Sequence, residues 1–390
     1  MVSGALLCAV LAAPPMATSR ADAPPAPGEV HTDVVLAAYP AFAAGDELLR
    51  RFLSPLTRSR ILERLAHSGQ KLSKQSLDPA QERFALYVPP GPPPPDGYAL
   101  LVFVPPWEDA RVPPQWVPAL DRQKTIFVSA ARSGNDDDVF DRREPLALVA
   151  EYNVAQRYPV NPEHIYVAGF SGGASVALRL ALGYPDVFRG ALLDAGGESV
   201  GTAQVPLPPA DLFHRFQETT RVVYVEGTDD AGPAADTGMA PQTARPAAPP
   251  TGLYEATRQG AGVTLYLSGQ AARAHADRSG GSRDSLRRWC VANVGHIAAH
   301  GVGHQLVDAN VLEHALAALR KPAVEDPSGL SACRRRIEGD MGALLEQARQ
   351  LSARNEPDEA RKLLEGIDAQ YGGLAAPGAV ELMQRLDAQQ

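Results

Sequence analysis

At 390 residues the chain has room for about two to three domains, or for one large core with appendages. Its hydrophobic content of 45% is enough to bury a substantial core. A net charge of −8 without a long basic stripe argues against a general nucleic-acid binder.

In chain order, the run Ala5-Leu6-Leu7-Cys8-Ala9-Val10-Leu11-Ala12-Ala13 is apolar but too short to span a membrane. It reads as the hydrophobic region of a secretory signal over residues 1–21, with small-residue cleavage sites at Ser19-Arg20-Ala21 or Ala21-Asp22-Ala23. Export would leave Cys290 and Cys333 as an even pair in an oxidising compartment. A Pro/Ala-rich lead-in follows. The periodicity of Leu48, Leu49, Phe52, Leu53, Ile61, Leu62 and Leu65 then predicts an interrupted helical brace within residues 22–83.

From Phe84 the pattern becomes alternating. Strands are expected at Phe84–Val88, Tyr98–Val104, Thr125–Ala130, His164–Ala168, Arg189–Leu193 and Arg221–Glu226. A helix is expected at Leu146–Tyr158, and another opens after Ser171 and ends near Gly183. Gly232–Thr251 reads as an inserted surface loop. Leu253–Arg258 is expected to be a helix, Val263–Leu267 a strand, Leu286–Val294 a helix passing into a strand, and Val311–Leu319 an amphipathic helix. This alternation over residues 84–322 predicts an α/β domain, a mostly parallel sheet with helices on both faces. Residues 323–390 carry three apolar helical stripes and form a small C-terminal helical appendage able to dock a protein partner. Asn355–Leu364 faintly resembles a tetratricopeptide helix pair, with too few repeats for a solenoid. Arg334-Arg335-Arg336, Arg142 and Arg143 read as solvated charge, and Asn135-Asp136-Asp137-Asp138 as a solvated turn without calcium-loop spacing.

The chemistry concentrates at Gly169-Phe170-Ser171-Gly172-Gly173, which fits G-x-S-x-G between a strand and a helix. A serine on so sharp a turn needs neighbours almost free of side chain. Its hydroxyl is a poor nucleophile until a base takes the proton, and the base needs an acid to orient it. Glu226-Gly227-Thr228-Asp229-Asp230 closes a late strand and supplies the acid, with Asp230 preferred to Asp229. His304, in Gly301-Val302-Gly303-His304 before the last helix of the domain, is the preferred base over His296, His275 and His314. Oxyanion donors are expected at the Gly172 N–H and in the loop after Tyr98–Val104. There the sequence is Val104-Pro105-Pro106-Trp107-Glu108, and Trp107 is its first residue with an N–H to give.

Residues from about Phe84 to Leu319 resemble α/β-hydrolases of the polyhydroxybutyrate-depolymerase-like and feruloyl-esterase-like kind. The likeness is carried by Tyr158 to Gly173, by Tyr184-Pro185-Asp186-Val187-Phe188 and by Gly303-His304. It implies an α/β-hydrolase fold and hydrolysis of a small or polymeric carboxylic ester through an acyl-enzyme. In that mechanism Ser171 is the nucleophile, His304 the base and Asp230 the orienting acid, with no cofactor or metal. Where such hydrolases commonly carry His-Gly, this chain has Pro105-Pro106-Trp107. Two alternatives stay open: a peptidase or amidase with the same triad, and a binding protein whose altered oxyanion loop has cost it turnover.

Overall fold

A computed structural model describes residues 25–230, 254–259, 262–267 and 279–388. The predicted signal, the Gly232–Thr251 loop and His275 lie outside the described residues.

The chain enters through β1 (Val30–Val34), the helices α1 (Gly45–Phe52) and α2 (Pro55–Ser68), and the short β2 (Lys71–Leu72). Pro55 starts α2, where its missing N–H costs nothing, and Gly69 ends it in the left-handed region at φ 65°. The main sheet follows with β3 (Phe84–Tyr87), β4 (Tyr98–Val104), α3 (Val117–Arg122), β5 (Thr125–Ala130), α4 (Glu144–Arg157) and β6 (Val160–Phe170). It continues through α5 (Gly172–Gly183), β7 (Gly190–Asp194), α6 (Ala210–Thr219) and β8 (Arg221–Gly227). After the pair β9 (Tyr254–Gln259) and β10 (Gly262–Leu267) come α7 (Ser279–Arg288), β11 (Val294–Ala299) and α8 (Ala309–Leu319).

The eight-stranded sheet has the order β1-β3-β5-β4-β6-β7-β8-β11. Only β1 and β3 pair antiparallel to their neighbours; from β5 to β11 every pairing is parallel. β4, β5 and β7 are buried along their whole length, as strands covered on both faces must be, and β4 accordingly reads as an unbroken apolar run, whereas β5 carries Thr125 and Ser129 and β7 ends on Asp194. One apolar cluster lies between the sheet and α4, α5 and α6, and a second between the sheet and α3 and α8.

Of the expected helix at Leu253–Arg258, the described residues, from Tyr254 on, lie in strand β9 instead. It pairs antiparallel with β10, which also lies parallel to β2 in a separate three-stranded sheet. Gly260-Ala261-Gly262 follows at once and denies a helix room to propagate, so pairing decides the outcome.

The three C-terminal helices are α9 (Pro327–Ala353), α10 (Pro357–Tyr371) and α11 (Gly378–Asp387). Their apolar stripes, including Ile337, Leu345, Ala348, Leu364, Ile367 and Leu386, are buried in the same cluster as the brace residues Leu56, Ile61 and Leu65. Asp368 on α10 accepts from Ser54 Oγ at 2.5 Å and from the Leu56 N–H at 2.9 Å, satisfying the first turn of α2 across more than 300 residues. A disulfide joins Cys290 to Cys333 across 43 residues, which removes about 4 kcal/mol of unfolded-chain entropy in the loop-closure picture. Arg334 departs from the solvated reading: it bonds Gln217, Glu218 and the His214 carbonyl, tying α9 to α6. Among the described residues no helix is long and apolar enough to cross a membrane.

Candidate active site

Ser171 stands between β6 and α5 at φ 54° and ψ −121°, a backbone conformation that costs a non-glycine residue about 1–3 kcal/mol. The surrounding residues enforce it. A Cβ on Gly169 would lie 2.0 Å from the Gly173 carbonyl oxygen, and one on Gly173 would lie 2.0 Å from the Val104 carbonyl oxygen. The glycines are therefore demanded by the closeness of strand, turn and helix. The Ser171 N–H donates to the Asp194 carbonyl at 2.9 Å, and the Ser171 carbonyl accepts from the Ala174 N–H at 3.0 Å.

Two further loops meet this turn. His304 follows β11 and Asp230 follows β8, and the adjacent pairing of β8 with β11 brings the loops together. They are stitched to each other: Asp229 N–H donates to the Val302 carbonyl at 3.1 Å, and the Gly301 N–H donates to Thr228 Oγ1 at 3.0 Å. His304 Nε2 lies 3.0 Å from Ser171 Oγ, and His304 Nδ1 lies 2.9 Å from Asp230 Oδ2. An ionised carboxylate only accepts, so Nδ1 carries the proton and Nε2 is left to accept from the serine hydroxyl. Asp229 is turned elsewhere and accepts from Thr228 Oγ1 at 3.0 Å. The Phe170 ring packs 5.1 Å from the imidazole. His296 lies within β11, 3.0 Å from Glu226, and His314 is exposed on α8.

The loop after β4 runs beside the residues that follow β5. The Pro106 carbonyl accepts from the Asn135 N–H at 3.2 Å, and the Glu108 carbonyl from the Arg132 N–H at 2.6 Å. The Trp107 N–H donates to no acceptor among the described residues, and Gly172 heads α5, where first-turn N–H groups have no partner within the helix. The Trp107 ring lies 6.5 Å from Phe170 and under the Arg111 guanidinium at 3.9 Å. Glu108 is held above the usual carboxylate range by burial first and then by the neighbouring Asp137 and Asp136. Asp137 accepts from the Gly134 N–H and Asp138 from the Asp141 N–H, so this acidic run is occupied in shaping the turn.

Two residues here had no signal in the sequence. Arg143, expected at the surface, is 3% exposed: its Nε donates to the Ser133 carbonyl and its Nη2 to the Pro105 carbonyl. Its neighbour Arg142 pairs with Glu82 at 2.6 Å. A five-residue π-type turn, Val139–Arg143, places these adjacent arginines in different surroundings, which a run of Asp-Arg-Arg-Glu does not announce.

Asp194, at the end of β7, is 2% exposed and accepts weakly from the Val307 N–H at 3.4 Å, three residues beyond His304. Burial first, and then the nearby Asp230, push its carboxyl up to about 7 from 3.8. Between those two pH values the folded protein holds a proton that the unfolded chain has lost, so stability falls as pH rises through this window. Asp194→Asn keeps an acceptor for Val307 and removes that penalty. The melting temperature of the variant relative to wild type should rise from about pH 4 to about pH 7 and then level off. A difference independent of pH would show that the carboxyl is ionised throughout.

No protein-family model matches the chain. Over 66 residues it is 44% identical to "Putative esterase NocK" of Nocardia uniformis subsp. tsuyamanensis, a match spanning 17% of each protein. Among solved structures, the poly(3-hydroxybutyrate) depolymerase LpqC of Bordetella parapertussis is similar over 65% of this chain and 88% of its own, at 18% identity and a TM-score of 0.38. The acetyl xylan esterase of Aspergillus awamori is similar over 62% and 95%, at 12% identity and 0.39. An esterase of Pyrobaculum calidifontis is similar over 71% and 89%, at 13% identity and 0.38. The strand order β1-β3-β5-β4-β6-β7-β8-β11 and the strand–serine–helix turn at the end of its fifth member make this a chain of the α/β-hydrolase fold.

Proposed function

We propose that the protein is a serine hydrolase of carboxylic esters. The observation that carries this reading is the line from Ser171 Oγ through His304 to Asp230, at 3.0 and 2.9 Å, on a strained turn of the α/β-hydrolase kind. In this mechanism Oγ attacks the ester carbonyl carbon while His304 Nε2 takes its proton, and Asp230 stabilises the imidazolium that results. The negative charge on the carbonyl oxygen is met by the Gly172 and Trp107 N–H groups. The tetrahedral species collapses as the imidazolium returns its proton to the leaving alkoxide, and the alcohol departs. Water, deprotonated by His304, then releases the acid and restores the serine.

The Cys290–Cys333 bridge favours work in an oxidising compartment, in keeping with export. The test is hydrolysis of p-nitrophenyl esters of increasing acyl length, run beside labelling with a fluorophosphonate probe and peptide mapping. Turnover with the label on the Ser171 peptide is expected, and the chain-length optimum then bounds the acyl pocket. Neither turnover nor labelling would favour a fold that binds without cleaving.

A further inference from the structure

Arg143 is a buried cation whose side-chain hydrogen bonds go to two main-chain carbonyls, Ser133 at 3.0 Å and Pro105 at 2.9 Å. Burial brings its pKa down to about 10, so it remains charged at neutral pH. Asp137, Glu108 and Glu144 lie near this charge and compensate its burial, while its hydrogen bonds go to the two carbonyls. The two carbonyls belong to the loops that leave neighbouring strands β4 and β5. The first loop carries Trp107. Its start is held as well, because Gly173 packs against the Val104 carbonyl, and Gly134 faces the Glu108 carboxylate and the Trp107 carbonyl carbon. The Asn135 N–H holds the Pro106 carbonyl, and in a trans peptide the following N–H points the opposite way. That N–H is the one on Trp107, left without a described acceptor.

Resting on the serine-hydrolase reading, we propose that Arg143 is the positioning residue of the oxyanion hole. Through the Pro105 carbonyl it fixes the peptide that precedes Pro106, and through the Ser133 carbonyl the loop that carries Asn135, whose N–H holds the Pro106–Trp107 peptide. In this chain the buried guanidinium replaces the support that a glycine-rich oxyanion loop draws from its own backbone.

The test compares wild type, Arg143→Gln and Arg143→Lys by kcat and KM on p-nitrophenyl acetate and by Ki for a trifluoromethyl ketone. Such a ketone forms a hemiketal on the serine, and its oxyanion reports the donors directly. Arg143→Gln should lower kcat by about 100-fold with KM nearly unchanged, and should raise Ki by a similar factor, as loss of one oxyanion donor does. Arg143→Lys should recover part of both, since its ammonium can still reach one carbonyl. A Ki unchanged in the folded variant, or a loss of kcat matched by the loss of folded protein, would overturn the proposal. Should Arg143→Gln not fold, Arg143→Lys alone carries the test, because it keeps a cation at the site and gives up one of the two carbonyl bonds. A raised Ki at constant KM is expected there too, and an unchanged Ki counts against the idea. A wild type that neither cleaves the ester nor binds the ketone would instead defeat the serine-hydrolase reading on which the proposal rests.

Discussion

Replacing Ser171 with alanine is expected to lower kcat/KM for a p-nitrophenyl ester by about 10⁴-fold or more, the scale on which triad nucleophiles act. The fold should survive. Among the described residues the hydroxyl bonds only His304, which is 37% exposed at its side chain, so no buried acceptor there is stranded. Alanine also inherits the φ of 54° and the strain that comes with it, so the melting temperature should stay close to that of wild type. Ser171→Gly is the informative companion: equally inactive, yet relieved of that strain, it should unfold at a higher temperature than Ser171→Ala. Such a pairing of lost activity with gained stability is what a turn strained for function predicts. Retention of more than a tenth of the activity in Ser171→Ala would place the chemistry on another residue.

Asp230→Asn is the second large effect, expected to reduce kcat by about 10³- to 10⁴-fold with KM little changed. The amide can still accept from Nδ1–H, but it no longer stabilises the imidazolium, and it can present its NH₂ so as to favour the wrong tautomer. The control is built into the sequence. Asp229→Asn changes the adjacent residue and the same net charge, yet Asp229 faces Thr228 and stitches the turn. It should stay within about threefold of wild type, since an exposed carboxylate that touches no reacting group contributes little. Comparable losses in both variants would mean that the turn as a whole, and not one carboxylate, serves the histidine.

The elbow could be recognised in the sequence because its cause is local. Gly169, Ser171, Gly172 and Gly173 are neighbours along the chain, and the steric requirement for bare backbone is written in consecutive letters. The buried strands were legible for a related reason, since a strand covered on both faces is apolar at most of its positions. The histidine came from its place in the chain, on a glycine-bearing loop before the last helix of the domain, and in the structure that loop lies across the turn. Less was legible where the competing outcomes differ by pairing. Leu253–Arg258 has an ambiguous composition, and β9 exists because β10 offers it a partner.

By itself, then, the sequence determined the alternating architecture, the position of the strained serine and a short list of partners for it. Each rests on periodicity, or on a steric rule acting within a few residues. Only the tertiary structure decided which aspartate faces His304, because Asp229 and Asp230 differ in direction and not in chemistry. Tertiary structure alone also made Arg143 and Asp194 interior residues. The Arg143 charge is met by the Ser133 and Pro105 carbonyls and by nearby carboxylates, whereas Asp194 answers its burial by holding its proton up to about pH 7, and no local pattern encodes either outcome. The same holds for the C-terminal helices. Their stripes announced that something would cover them, but the covering surface is the brace, closed by Asp368 over the start of α2.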